Sequence, residues 1–307
     1  MRFVFMGTPQ YAAIILQRLI ISGKIPSLVV TQPDRLAGRH RQLAPPPVKA
    51  VAQAANLPII QPEKITAEVR ERLILEQSDL FVISAFGKIL RPTVLSIPRL
   101  GCLNTHASLL PAYRGAAPIN WALIKGESQT GVTIMLLDEG IDTGPILARR
   151  ALPIDPADDA HTLLFKLAEA GGALLLETME RYVAGEIKPM PQPTEGASYA
   201  PMLTKEDGLI DWSRPARDIV NRVRGANPWP GAYTFWQGKT IKILAAETAQ
   251  AAGTPGTVVV AKKEFIVAAR DSAVRLLQLQ SEGKKVLDAE SFLNGVRIQV
   301  GDHLGAS

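Results

Sequence analysis

A chain of 307 residues, 47% of them hydrophobic, is long enough for two ordinary domains with cores of their own, which excludes a disordered tail or a small disulfide-stapled module. Its apolar runs are short and broken by charge, so none approaches the roughly 20 residues that span a bilayer, and the single Cys102 rules out an internal disulfide. Lys and Arg number 34 against 29 Asp and Glu, a net charge of +5 that suits a polyanionic partner without requiring one. The first residues enter an apolar run directly, with no basic stretch and cleavage site ahead of it, so a cytoplasmic location is expected.

In chain order, residues 2–6 and 28–31 read as strands joined by an apolar helical stretch at 12–21, a beta-alpha-beta unit that calls for a parallel sheet. A basic loop follows: residues 32–49 carry Arg35, Arg39, Arg41 and Lys49 against Asp34 alone, with His40 as a further donor. Its prolines, its glycine and its lack of apolar periodicity make it an exposed loop, suited either to solvent or to phosphates. The alternation then resumes, with helices at 48–55, 68–76 and 119–124 and strands at 59–61, 80–84, 101–104 and 132–137. This predicts a doubly wound, mainly parallel Rossmann-like α/β sheet, with ligands beyond the carboxyl ends of its strands. A long apolar helix at 161–182 contains Gly171-Gly172, a place for close helix contact, and a proline-rich run then ends the first domain. Beyond it lie a short helix at 215–224 bearing Arg217, Arg222 and Arg224, and strands at 232–236, 240–246, 256–261, 264–269 and 273–280. Five short strands after one helix suggest a small OB-like β-barrel, a fold that often holds nucleic acid. The expected division is a catalytic domain at 1–190, a linker at 191–208 and the OB-like domain at 209–307.

Three polar residues stand at the ends of apolar runs. Asn104 and His106 are two apart, so a strand continuing to His106 turns both side chains to one side, and Asp142 can meet them from another strand end. An amide, an imidazole and a carboxylate together suit a reaction that creates an oxyanion and moves a proton. Alone, each has a plainer reading: a hydrogen-bonded structural histidine, a turn asparagine, an Asx-turn aspartate. Cys102, beside them, reads as a small buried apolar residue.

The combination of Asn104-Thr105-His106, Ser108-Leu109-Leu110-Pro111 and Asp142-Thr143-Gly144 resembles the folate-dependent formyltransferases. Met6-Gly7-Thr8-Pro9, Thr31-Gln32-Pro33-Asp34-Arg35, Tyr113-Arg114-Gly115-Ala116-Ala117-Pro118, Ile210-Asp211-Trp212 and Asn227-Pro228-Trp229-Pro230 extend that resemblance over essentially the whole chain. It implies 10-formyltetrahydrofolate as formyl donor and no metal. It implies initiator methionyl-tRNA as acceptor and Asn104, His106 and Asp142 as the catalytic residues. A monomer is expected, because an RNA-sized substrate must reach both domains, and no membrane partner, because no apolar run spans a bilayer. The resemblance further implies a folate site lined by Ser108, Leu109, Leu110, Pro111, Phe86, Gly87, Ile89 and Leu90, and tRNA contacts from Arg35, Arg39 and Arg41, with Arg39 foremost. The plain reading of Leu109 and Leu110 is core packing.

Other readings stay open. Met6-Gly7-Thr8-Pro9 leaves a strand and enters a helix like a dinucleotide loop, but has one glycine where that motif needs three. A non-catalytic RNA-binding protein would share the basic loop and the barrel, though not the triad at the strand ends. Formyltransferases acting on a sugar nucleotide or on glycinamide ribonucleotide would share the first half.

Overall fold

Strands buried on both faces read as unbroken apolar runs, and that pattern fixes the middle of this fold. Every residue of β1 (Phe3–Gly7) and β6 (Leu80–Ser84) is buried. The computed structural model describes residues 1–37 and 42–305. Two compact units emerge, one of residues 1–115, 129–153 and 164–200, the other of residues 116–128, 154–163 and 201–307.

In the first unit β1 leads into α1 (Gln10–Ile21), which buries Ala12, Ile15, Leu16 and Leu19 at helical spacing. Next come β2 (Leu28–Val30), a hairpin of β3 (Arg35–Ala37) and β4 (Gln42–Ala44), and α2 (Pro47–Ala54), which starts on a proline whose missing N–H costs nothing there. After β5 (Ile59–Ile60), Thr66 caps α3 (Ala67–Leu75) by accepting from the Val69 amide. β6, α4 (Pro92–Leu95) and β7 (Cys102–His106) follow. α5 (Pro118–Ile124) is grouped with the second unit; β8 (Gln129–Leu136), β9 (Ile146–Pro153) and most of α6 (Ala160–Val183) complete the first.

The sheet order is β5-β2-β1-β6-β7-β8-β9. Parallel pairing runs from β5 to β7, and β8 and β9 are antiparallel. The mainly parallel sheet is therefore present, with an antiparallel edge. The strand order reverses at β1, so the crevice between the loops after β1 and β6 is the switch point of the sheet. Thr8 Oγ1 there donates to the Phe86 carbonyl at 3.1 Å, as does Gln32 Nε2 at 3.0 Å, tying the loops after β1, β2 and β6 together. The two glycines of α6 do allow a close approach: a Cβ on Gly171 would lie 3.0 Å from Thr105 Cγ2, and one on Gly172 would lie 2.9 Å from Arg18 Cδ.

Beyond the short α4 and the short strand Leu287–Asp288, three features lie outside the expected set. The basic loop holds the β3–β4 hairpin, with Leu36 opposite Leu43 and both exposed. β9 was not anticipated, because its inward residues alternate with exposed ones that include Arg149. Near the end of the chain, Asp288 caps a short α8 (Ala289–Gly295) that was also not anticipated.

The second unit contains α5, α7 (Ala216–Ala226) and a six-stranded antiparallel sheet. Its strands are β10 (Ala232–Trp236), β11 (Lys239–Ala249), β12 (Val258–Ala261), β13 (Phe265–Ala268), β14 (Ala273–Ser281) and β15 (Leu287–Asp288). The order is β10-β11-β14-β13-β12, with β15 beside β14. Irregular register between Ile243 and Ala246 interrupts the β11–β14 ladder, as a β-bulge does where a sheet coils. Trp212, Ile219, Val223, Ile243, Phe265, Leu276 and Phe292 form its core, and the Trp212 indole donates to Thr234 Oγ1 at 3.0 Å. Arg222 donates to the Asp207 carbonyl and Arg224 to those of Asp155 and Asp158, so both arginines serve the unit's own packing.

α5 and α7 meet at Gly225, where a Cβ would lie 2.6 Å from Ile124 Cγ1 and 2.8 Å from the Asn120 carbonyl. Asn120 Nδ2 donates to the Gly225 carbonyl at the same contact. Gly225→Ala is expected to force these helices apart and to destabilise by about 1–3 kcal/mol, measured as a lower midpoint in denaturant unfolding.

Candidate functional site

β7 carries Asn104 and His106 to its carboxyl end, and the alternation of the strand places them on one side, both buried. The loop after β8 brings Asp142 to them. Its backbone is left-handed, φ +52, a conformation that aspartate tolerates better than most residues. The Asn104 Nδ2 donates to Asp142 Oδ1 at 3.3 Å, and the Gly115 amide donates to Oδ2 at 2.9 Å. His106 Nδ1 lies 3.5 Å from the same Oδ2, while Nε2 is 2.9 Å from the Tyr113 carbonyl. Both ring nitrogens thus face oxygen atoms. The three expected catalytic residues are brought together by the fold.

Behind them, the stretch from Ser108 to Pro111 is pinned from several directions. Ser108 is fully buried and its hydroxyl donates to the Ala112 carbonyl at 2.6 Å. Thr133 of β8 donates to the Ser108 carbonyl at 2.7 Å and accepts from the Leu110 amide at 3.1 Å. Arg149 of β9 donates to the Leu110 carbonyl at 2.9 Å. Leu110 lies in a small core with Met135 and Ile146; Leu109, half-buried, packs against Gly131; Pro111 is buried and follows a cis peptide bond.

The other group expected at the folate site lies on the loop after β6. Phe86 and Leu90 are buried in the core of the sheet, Gly87 is exposed with φ +77, and Ile89 is 84% exposed. Ile89 lines an open hollow of about 510 Å³ with Lys64, Ile65, Arg91 and Val94. None of Asn104, His106 and Asp142 lines that hollow. Lys88 donates to the Pro62 carbonyl at 2.8 Å, and also to that of Glu63.

On the basic loop, Arg35 is exposed and donates to Glu63 Oε2 at 3.2 Å. Asp34 is held by Gln61 at 2.7 Å and by Lys49 at 2.7 Å, and those hydrogen bonds keep its carboxyl below the ordinary range. Arg39 and Arg41 lie outside the described residues. Cys102 is buried, its Sγ 3.7 Å from the Leu95 carbonyl, and burial pushes its thiol up to about 12, which leaves it protonated and inert as a nucleophile. Among the described residues no group of three or more His, Cys, Asp and Glu could hold a metal ion, and no helix is long and apolar enough to cross a membrane.

Further residues touch this site: Tyr113, Arg114, Gly115 and Thr133, which belong to stretches that carry the resemblance but have no role assigned by it, and Gln192 and Ser198, which belong to none. Ser198 Oγ accepts from the Tyr113 amide at 2.9 Å, and Gln192 lies in the run that had been read as linker. Tyr113 and Gly115 act through their backbone, so their side chains do not reveal what they do.

The formyl transferase family model matches residues 1–179, and the formyl transferase C-terminal domain model matches residues 202–297. A methionyl-tRNA formyltransferase of Geobacter sulfurreducens is 46% identical over 307 residues, covering 99% of this chain and 97% of that one. One of Pelobacter propionicus is 48% identical, covering 99% of this chain and 96% of that one. Among solved structures, a variant of HypX from Aquifex aeolicus superposes with a TM-score of 0.68 at 21% identity. That alignment covers all of this chain and 53% of HypX, so the chain spans about half the length of that protein. At that identity the likeness speaks for the fold alone.

Thr133 has no exposed surface and serves two backbone groups at once. Thr133→Val keeps its shape while leaving the Leu110 amide and the Ser108 carbonyl unpaired. The expected outcome is a loss of about 1–3 kcal/mol in unfolding free energy, checked by denaturant titration against the parent chain.

Proposed function

The chain belongs to the formyl transferase family, and we propose that it transfers the formyl group of 10-formyltetrahydrofolate to the α-amine of methionine on initiator methionyl-tRNA, yielding N-formylmethionyl-tRNA for the start of translation. The observation that carries this reading is the single cluster of Asn104, His106 and Asp142 at the end of β7, in a chain whose near full-length relatives bear the methionyl-tRNA formyltransferase name. The folate is a co-substrate that arrives loaded and leaves empty, and the cytoplasm, where translation begins, is the setting the reaction requires.

The attacking amine reacts only in its neutral form, which an α-amino group reaches in part at neutral pH, its usual pKa being about 8. As the amine nitrogen bonds to the formyl carbon, negative charge gathers on the formyl oxygen. Asn104 uses one N–H on Asp142 and has a second to donate to that oxygen. The ring of His106 lies beside it, and a donor such as the Asn104 amide contributes about 3 kcal/mol. The amine must lose a proton as the new amide forms, and Asp142 is the acceptor, directly or through a water. The bond from the formyl carbon to N10 of the folate then breaks, and N10 takes up the proton that Asp142 received, directly or through water, which returns the carboxylate to its starting state.

Charge and composition support the tRNA side. Arg35, with Arg39 and Arg41 of the same loop, would meet phosphates of the acceptor stem, guanidinium forks being suited to them, and the sheet of the second unit would hold the rest. Ser108 to Pro111 and the segment Phe86, Gly87, Ile89 and Leu90 would frame the folate. The buried members shape its walls, and exposed Ile89 meets it.

Incubation with 10-formyltetrahydrofolate and charged initiator tRNA, followed by mass analysis of the released amino acid, tests the assignment: N-formylmethionine is expected, and its absence refutes the reading. Replacing Asn104, His106 or Asp142 by Ala is expected to lower turnover at least about 100-fold while tRNA affinity stays near that of the parent. Arg39→Ala is expected to raise KM for the charged tRNA and leave folate affinity alone, with Arg39→Lys restoring it only in part, because an ammonium keeps the charge and loses the fork. Steady-state kinetics at two salt concentrations read this out, since screening would erase a purely long-range effect.

A further inference from the structure

The geometry points to Gln192 and Arg114 as a positioning pair for the formyl-transfer reaction, fixing the loop that presents Asp142. This inference rests on the functional reading above and adds to it a role for Arg114, which lies within a family word but has no part assigned by it, and for Gln192, which lies in none. Gln192 sits in the proline-rich run between α6 and the second unit, a place where an exposed glutamine is ordinarily solvent-facing. Here it is half-buried and every polar atom of its amide is engaged. Its Nε2 donates to the carbonyl of Asp142 at 2.8 Å and to that of Gly144 at 2.8 Å. Its Oε1 accepts from Arg114 Nε at 3.1 Å and from the terminal guanidinium nitrogen at 2.7 Å.

Only a carboxamide can do this, since it alone pairs an NH₂ that donates twice with an oxygen that accepts a guanidinium fork. The two carbonyls it grips flank the turn that puts Asp142 at φ +52, and its hold on Asp142 O fixes the backbone from which the carboxylate projects. The turn has little room to adjust: a Cβ on Gly144 would lie 1.9 Å from the Leu136 carbonyl. Arg114 joins the two sides. Its side chain orients Gln192, and the next amide, that of Gly115, donates to Asp142 Oδ2. The Arg114 backbone is itself held, its amide donating to the Ser198 carbonyl at 2.8 Å and its carbonyl accepting from Ala200 at 2.7 Å. One carboxylate is thus gripped from its own backbone and from its side-chain oxygen by neighbours that are bonded to each other.

The test compares the parent chain with Gln192→Ala, Gln192→Glu, Arg114→Lys, Asp142→Ala and the Gln192→Ala/Asp142→Ala pair, by steady-state kinetics and by hydrogen exchange of the peptide spanning 138–146. Gln192→Glu keeps the oxygen facing Arg114 but sets a second oxygen against two carbonyls, and serves also if the alanine variant folds poorly. Both Gln192 variants should lower kcat by about 10- to 100-fold, the scale set by a displacement of about 1 Å, with KM for each substrate within about 3-fold of the parent. Arg114→Lys should fall between them and the parent. Exchange across 138–146 should quicken in the Gln192 variants, with the other strands of the sheet unchanged. In the Asp142→Ala background, Gln192→Ala should cost nothing further, because residues acting as one unit are not additive. Unchanged exchange across 138–146 overturns the proposal whatever the activity does. So does a full, additive loss in the double variant, or a change in KM alone. A parent chain that makes no N-formylmethionine, with exchange altered as expected, instead refutes the functional reading and leaves the clamp standing.

Discussion

The carboxylate of Asp142, held at the end of β7, is the constraint around which the rest of the first unit is arranged. A carboxylate with 15% of its side-chain surface exposed must have its lone pairs satisfied, and here the donors come from separate parts of the chain. Asn104 supplies a side-chain N–H, Gly115 a backbone N–H, and His106 a ring nitrogen at longer range. Each donor needs a different piece of architecture. The parallel strand aligns Asn104 with His106, the turn after Pro111 bends Gly115 inward, and the left-handed loop after β8 delivers the acid. The last is the conformation with least intrinsic support, and the stretch after α6 reinforces it.

The short stretch from Ser108 to Pro111 shows how a strand end becomes a rigid platform. Its polar atoms are turned inward to Ala112, Thr133 and Arg149, and Leu110 is buried against Met135 and Ile146. Such pinning lets His106 present both ring nitrogens without the ring swinging toward solvent, since its Tyr113 partner lies on the far side of the same turn. β8 and β9 run against the other strands, and this places Thr133 and Arg149 where the turn needs them. The antiparallel edge is therefore part of the site's support as well as the end of the sheet.

Much of this was legible in the chain. β1 and β6 announce themselves as unbroken apolar runs, and the spacing of Asn104 and His106 forecasts their shared side once β7 reaches that far. What escaped has physical reasons. β9 alternates buried and exposed residues in a stretch containing Arg149 and Arg150, and an edge strand of that kind resembles a loop in its sequence. The β3–β4 hairpin pairs Leu36 with Leu43 in the open, leaving no buried face to impose a period. The Asp288 cap and its partner Ser291 were a usable signal for α8, obscured by the charge around them. Gln192 was unreadable as a site residue, because its role depends on two carbonyls some fifty residues away and on no motif of its own. The family words carried the catalytic trio further than spacing alone, yet they said nothing of what holds Asp142 in place.

The most direct measurement of the account is a crystal structure with a 10-formyltetrahydrofolate analogue whose formyl group cannot be transferred. The account predicts the formyl oxygen within about 3 Å of Asn104 Nδ2, beside the His106 ring, with Asp142 still bonded to the Gly115 amide. A formyl group lodged away from the end of β7, with those three side chains untouched by it, would contradict it.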